Sequence, residues 1–128
     1  MKLDHSEVPD RLRFWFVVHF VVDMLIGVPL LFFPNLLFSL LNWTVTDPIM
    51  TRLVGAALVA IGVESLLGRN ASAEVYRAML NLKILWASGA ILAIVLGMVA
   101  GGPSTAWIFV VIFFAFLSLW IYYRLLLR

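Results

Sequence analysis

His19 and Asp23 lie four residues apart in an otherwise apolar stretch. That spacing puts an imidazole and a carboxylate on one face of a helix, one turn from each other. Glu64, Lys83 and Arg52 sit inside or at the margins of other apolar stretches. Histidine titrates near neutral pH, and a carboxylate deep in an apolar helix is a common coupling group. His19, Asp23, Glu64 and Lys83 could therefore relay protons or hold an ion or substrate. The same groups could instead be polar glue that fixes helix pairing. The most economical arrangement pairs Glu64 with Lys83, so that neither charge is left alone in lipid. His19 and Asp23 would join that pair or form a separate pair within one helix, and Arg52 would reach outward to the headgroups or contact Asp23.

The elements that must position these residues are four apolar stretches at about 14–33, 48–67, 79–100 and 105–123. Each is long enough to cross a hydrocarbon core of ~30 Å as a helix rising ~1.5 Å per residue. With 64% hydrophobic and 12% charged residues, the chain has too little polar surface for a soluble fold of this size. The apolar runs show no two-residue alternation, which argues against a transmembrane barrel. The expected fold is all-α, a four-helix integral membrane bundle forming one domain over 1–128. The first stretch is too long, and too polar at its centre, to read as a cleaved signal peptide.

Local signals punctuate the spans. Pro9-Asp10 can start the first helix, and Gly27 and Pro29 predict a kink or unwinding in its distal half. Pro34-Asn35 ends it, and residues 36–43 read as a short interfacial helix or re-entrant turn anchored by Trp43. Asp47-Pro48 is a strong helix start, 69–77 a polar connection, and Gly101-Gly102-Pro103 a tight turn with Ser104 or Thr105 capping the last span. Trp107 marks one end of that span, and Trp120, Tyr122 and Tyr123 the other.

Orientation follows from the cations. Lys2, Arg11, Arg13, Arg69, Arg77, Arg124 and Arg128 fall before the first span, between the second and third, and after the fourth. The positive-inside rule then places both termini and the loop around 68–78 in the cytoplasm, in a multi-pass protein of a bacterial or archaeal cell membrane. His19, Glu64 and Lys83 would share the cytoplasmic half, with Asp23 near the midplane.

Gly89, Ala93 and Gly97 recur every fourth residue in the third span. Ala56 and Ala60 do so in the second, where Gly55 and Gly62 stand seven apart. Small faces of this kind let backbones approach, within one bundle or between subunits, and packing within the bundle is the simpler expectation. Phe109, Phe113, Phe114, Phe116 and Trp120 line several faces of the charge-free fourth span, suited to lipid, a partner subunit or a quinone.

No cysteine is present, so disulfides, iron–sulfur clusters and thiolate metal sites are excluded. No phosphate-binding loop, zinc-protease motif, nucleophile elbow or dinucleotide fingerprint occurs. Two histidines, one of them His5 in the polar N-terminal segment, argue against a bis-histidine haem within one chain and leave open only a haem at His19 shared with another subunit. The expectation is no catalytic residue, no metal and no nucleic-acid partner. The partners expected are membrane lipids and further copies of the chain or other membrane subunits.

The run Arg52-Leu-Val-Gly55-Ala-Ala-Leu-Val-Ala-Ile-Gly62 opens the second span. With the span count and chain length, it resembles the corresponding segment of DoxX-like small membrane proteins. The resemblance implies a four-helix membrane bundle, some of whose relatives are small subunits of quinone-linked sulfur or redox systems. The favoured expectation is a small non-catalytic membrane subunit or interaction protein. A proton-coupled transporter or channel and a quinone-interacting redox subunit are the alternatives.

Overall fold

Asp47 starts a helix in the way its Asp-Pro sequence requires: Oδ1 accepts hydrogen bonds from the amides of Ile49 at 3.0 Å and Met50 at 3.1 Å. Pro48 occupies the first helical position, where no amide is needed. The computed structural model describes residues 7–44 and 47–128. Lys2 and His5 lie outside the described residues. The described chain is helical, in the order α1 (Asp10–Phe32), α2 (Pro34–Leu40), α3 (Pro48–Leu67), α4 (Ala73–Val99) and α5 (Trp107–Leu126). Short 3-10 turns at Gly68–Asn70 and Ser104–Ala106 precede α4 and α5. α1, α4 and the helical stretches Pro48–Asn70 and Ser104–Leu126 are each long and apolar enough to cross a membrane.

α1 continues through Pro29 as an α-helix, and Phe33, with φ −134° and ψ 60°, breaks it before Pro34 opens α2. α2 ends in a Schellman motif: Trp43 N–H donates to Phe38 O at 2.8 Å and Asn42 N–H to Ser39 O at 3.3 Å. Asn42 takes the required positive φ of 52°, a conformation that asparagine tolerates better than most residues. α4 closes in the same way. Gly102 N–H donates to Gly97 O at 2.9 Å, Gly101 N–H donates to Met98 O at 3.1 Å, and Gly101 has φ +98°.

Two local expectations change. α4 begins at Ala73, because Ser72 Oγ accepts from Val75 N–H at 3.5 Å, so the polar connection shortens to residues 68–72. Neither Ser104 nor Thr105 caps α5 with its side chain. The 3-10 turn leads into the helix instead, and its first amide bond is Ala106 N–H to Pro103 O at 3.1 Å.

The chain divides into two compact units, Pro9–Asn70 and, with the first eight residues, Ala71–Arg128. In the first, α1 and α3 run antiparallel. Arg13 lies beside Arg69, His19 beside Ser65, Gly27 beside Gly55 and Leu31 beside Arg52. Buried residues recur three and four apart on α1 (Leu12, Phe16, His19, Asp23, Gly27, Leu30) and on α3 (Gly55, Leu58, Gly62, Ser65). That is the spacing of an interhelical seam. Glycine sets how closely the helices approach. A Cβ on Gly55 would lie 2.6 Å from the Leu31 backbone nitrogen, and one on Gly27 would lie 3.0 Å from Leu58 Cβ.

In the second unit α4 and α5 are also antiparallel, with Asn81 beside Arg124, Lys83 beside Trp120 and Trp86 beside Phe113. The buried residues of α4 are Ala73, Tyr76, Met79, Leu80, Lys83 and Ala87, and none follows Ala87.

Candidate functional site

Since α1 and α3 share a seam spaced three and four apart, any polar residue on it is carried inside. His19 and Asp23 on α1 and Ser65 on α3 occupy such positions, and all three are buried. His19 Nδ1 lies 3.3 Å from Asp23 Oδ2 and 3.4 Å from Ser65 Oγ. Ser65 donates its hydroxyl proton to Ile61 O at 2.8 Å, so Oγ meets the ring as an acceptor. A carboxylate is an acceptor as well. The hydrogen bond to Ser65 therefore assigns Nδ1 the proton, and Asp23 Oδ2 stands beside it at 3.3 Å as a close electrostatic contact.

This differs from a nucleophilic triad, in which the carboxylate and the hydroxyl take opposite ring nitrogens and the hydroxyl proton points at the base. Here the carboxylate and the hydroxyl both lie on the Nδ1 side of the ring, and the hydroxyl proton is bound to the backbone. The arrangement can hold or pass a proton and can lock two helices together, but it does not activate serine.

Gly62 completes the cluster. A Cβ at this position would meet Asp23 Cβ at 2.7 Å and Met24 Cε at 2.9 Å, so the absence of a side chain on α3 is what admits the Asp23 side chain to the seam. Glu64, next to Ser65 but pointing elsewhere on α3, is exposed. Lys83 belongs to the second unit, where it is 4% exposed and its Nζ stands 5.4 Å from the centre of the Trp120 ring. Trp120 in turn stacks on Phe116 with ring centres 5.6 Å apart. This places a cation on the face of an aromatic ring, a geometry favoured by the ring quadrupole.

Arg52, at the far end of the first unit, donates to Leu31 O at 2.7 Å. The break at Phe33 leaves the last carbonyls of α1 without the amides that would follow in a longer helix, and the guanidinium satisfies one of them. Arg13 does the equivalent at the opposite end, donating to Arg69 O at 2.6 Å.

The small residues separate into two groups. Gly55 and Gly62 pack against α1, whereas Ala56 and Ala60 are exposed on α3. Gly89, Ala93 and Gly97 are exposed on α4, and a Cβ on Gly89 or Gly97 would meet nothing within 4 Å. Within the α4–α5 unit the α4 stripe is therefore not packed against α5. Around the end of α5, Trp120 and Tyr123 are buried and Tyr122 is exposed, so only part of the expected aromatic belt faces outward.

Ser65 and Asn81 were not anticipated from the sequence. Ser65 is three residues beyond Gly62, on the stripe that Gly55 and Gly62 define, and that spacing is the signal that could have found it. Asn81 Oδ1 accepts from Arg124 Nε at 2.7 Å. Nothing local in the sequence links these two residues. No family model, curated protein or solved structure matches the chain.

Proposed function

We propose that the chain is a non-catalytic membrane subunit that assembles, with copies of itself or with other membrane proteins, through the open face of α4. The observation that carries this reading is the contrast between glycines. Those of α3 are filled by α1, whereas Gly89 and Gly97 face open space beyond the last buried residue of α4, Ala87. Glycine within a helix costs roughly 0.5–1 kcal/mol relative to alanine, and close approach of a second backbone offsets that cost. In this reading the termini and the 68–72 connection face the cytoplasm of a bacterial or archaeal cell, and α2 lies in the opposite interface. Gly97→Leu and Ala93→Leu should each abolish co-purification with partners or the chain's own oligomer, whereas Ala56→Leu should not. Wild-type assembly by both α4 variants would end this reading.

A second reading is supported by the buried His19–Asp23–Ser65 cluster: a proton path with His19 and Asp23 as carriers. The full chain in liposomes would then conduct protons, and Asp23→Asn would remove most of the flux. Unchanged flux in that variant, or none in the wild type, excludes it. The DoxX-like resemblance implies a quinone instead, held on the exposed aromatic surface of α5 around Phe114 and Trp107. Saturable quenching of tryptophan fluorescence by a quinone analogue tests this, and its absence removes the option.

A further inference from the structure

Arg124 is held by its neighbour in a particular way. Asn81 Oδ1 takes the Nε proton at 2.7 Å, which fixes the guanidinium plane and leaves the Nη1/Nη2 edge as the fork available to a ligand. One turn earlier on α4, on the same face as Asn81, Arg77 donates through Nη1 to Leu127 O at 3.4 Å. Two guanidinium groups therefore sit about one helical turn apart along the seam of α4 and α5. Arg128, exposed, follows Arg124 by four residues on α5. Among the described residues neither Arg77 nor Arg124 is paired with a carboxylate, and Glu74 is the one acid near them on α4, exposed three residues before Arg77. One turn towards the apolar middle of each helix, Leu85 follows Asn81 and Ile121 precedes Arg124, and these are 71% and 41% exposed.

We propose that this seam binds the headgroup phosphate of an anionic phospholipid. The Arg124 fork grips two phosphate oxygens, Arg77 and Arg128 supply the remaining charge, and the acyl chain lies along Leu85 and Ile121. A planar bidentate donor matches tetrahedral phosphate oxygens better than a point charge does. Basic pockets between membrane helices at the headgroup level are suited to such lipids. The apolar wall one turn, ~6 Å, from the arginine level selects a lipid over a soluble anion, because only a lipid carries a hydrocarbon chain at that offset from its phosphate. The site lies wholly within the α4–α5 unit and is independent of the assembly face around Gly97.

The test uses the full chain in a mild detergent, offered phosphatidylglycerol and phosphatidylcholine of identical acyl chains, with retained lipid read by native mass spectrometry. Wild type should favour phosphatidylglycerol by about tenfold, the factor expected for one charge-assisted contact. Asn81→Ala, which keeps every charge but frees the fork, should lose most of that preference. Arg124→Gln should abolish it. Asn81→Asp, nearly isosteric and therefore the safeguard against misfolding, should also abolish it by turning Arg124 into an ion pair. Inorganic phosphate at the lipid's own concentration should not displace the lipid. Equal retention of both lipids by wild type, a wild-type preference surviving in Asn81→Ala or Asn81→Asp, or displacement by inorganic phosphate would each overturn the proposal.

Discussion

Gly62 lies so close to Asp23 that no methyl group fits between them: a Cβ on Gly62 would stand 2.7 Å from Asp23 Cβ. The polar cluster and the helix crossing are thus one device. The seam that brings His19 to Ser65 exists because α3 has no side chain at 62.

Enlarging the glycines of this seam should therefore be costly in a graded way. Gly55→Ala meets Leu31 and Leu30 backbone atoms, which cannot swing aside, whereas Gly27→Ala meets the Leu58 and Val59 side chains and the Gly55 carbonyl at 3.0–3.2 Å. Gly55→Ala should destabilise the fold by about 1–3 kcal/mol, an overpacking cost, and Gly27→Ala by less. Ala60→Val, on the exposed side of α3, should be near neutral. Reversible unfolding in mixed micelles ranks the three, and a Gly55→Ala protein as stable as wild type would show that the crossing is looser than described.

Ser65→Ala removes an acceptor from His19 Nδ1 without adding bulk. The expected loss is about 0.5–1.5 kcal/mol, that of one buried hydrogen bond. A change in the His19 ring ¹⁵N shifts should accompany it, since Nδ1 loses that hydrogen bond. Unaltered shifts would mean that Ser65 does not accept from Nδ1.

Lys83→Met keeps the length and apolar stem of the side chain and removes the charge from the Trp120 face. Tryptophan emission should shift, because a cation 5.4 Å from the ring centre perturbs the excited state. Trp86, Trp107, Trp43 and Trp15 contribute background, so the comparison is made in a Trp120→Phe protein as well. A shift of equal size in both backgrounds would place Lys83 away from Trp120.

At the ends of the helices, Asp47→Ala should cost about 1 kcal/mol by leaving the Ile49 and Met50 amides without their cap. Gly101→Ala should cost about as much through its positive φ, although nothing lies near the added methyl. Hydrogen exchange at the first turn of α3 and the last turn of α4 separates these local effects. Wild-type protection at both sites would contradict the two caps.

Hydropathy and charge made the four long helices legible, because an apolar run of bilayer length has few other uses. Asp47-Pro48 and the glycines at 101 and 102 were legible as well, since their chemistry is local. Rotation about each helix axis was not. The belt rule reads depth along α5 and says nothing of which way Trp120 and Tyr123 turn, and both turn inward. Small residues serve a tight crossing at Gly55 and an open face at Gly89, and one sequence pattern describes both. The polar start of α4 was hidden because its helicity comes from the Ser72 cap rather than from any apolar run. Ser65 gave no signal of its own, since a serine bonded to its own helix looks like any neutral residue in the span.

His19 and Asp23 stand one turn apart on a single helix, and this bears on how the chain is made. A carboxylate near the bilayer centre raises the cost of inserting a lone helix by ~2.5–3.5 kcal/mol. α1 carries the imidazole partner of its own acid, 3.3 Å away, so the pair needs no second helix to form. The contact of Lys83 with Trp120, by contrast, needs both α4 and α5. An inserting α1 would thus bring its acid already matched, whereas α4 would complete its cation–ring contact only with α5.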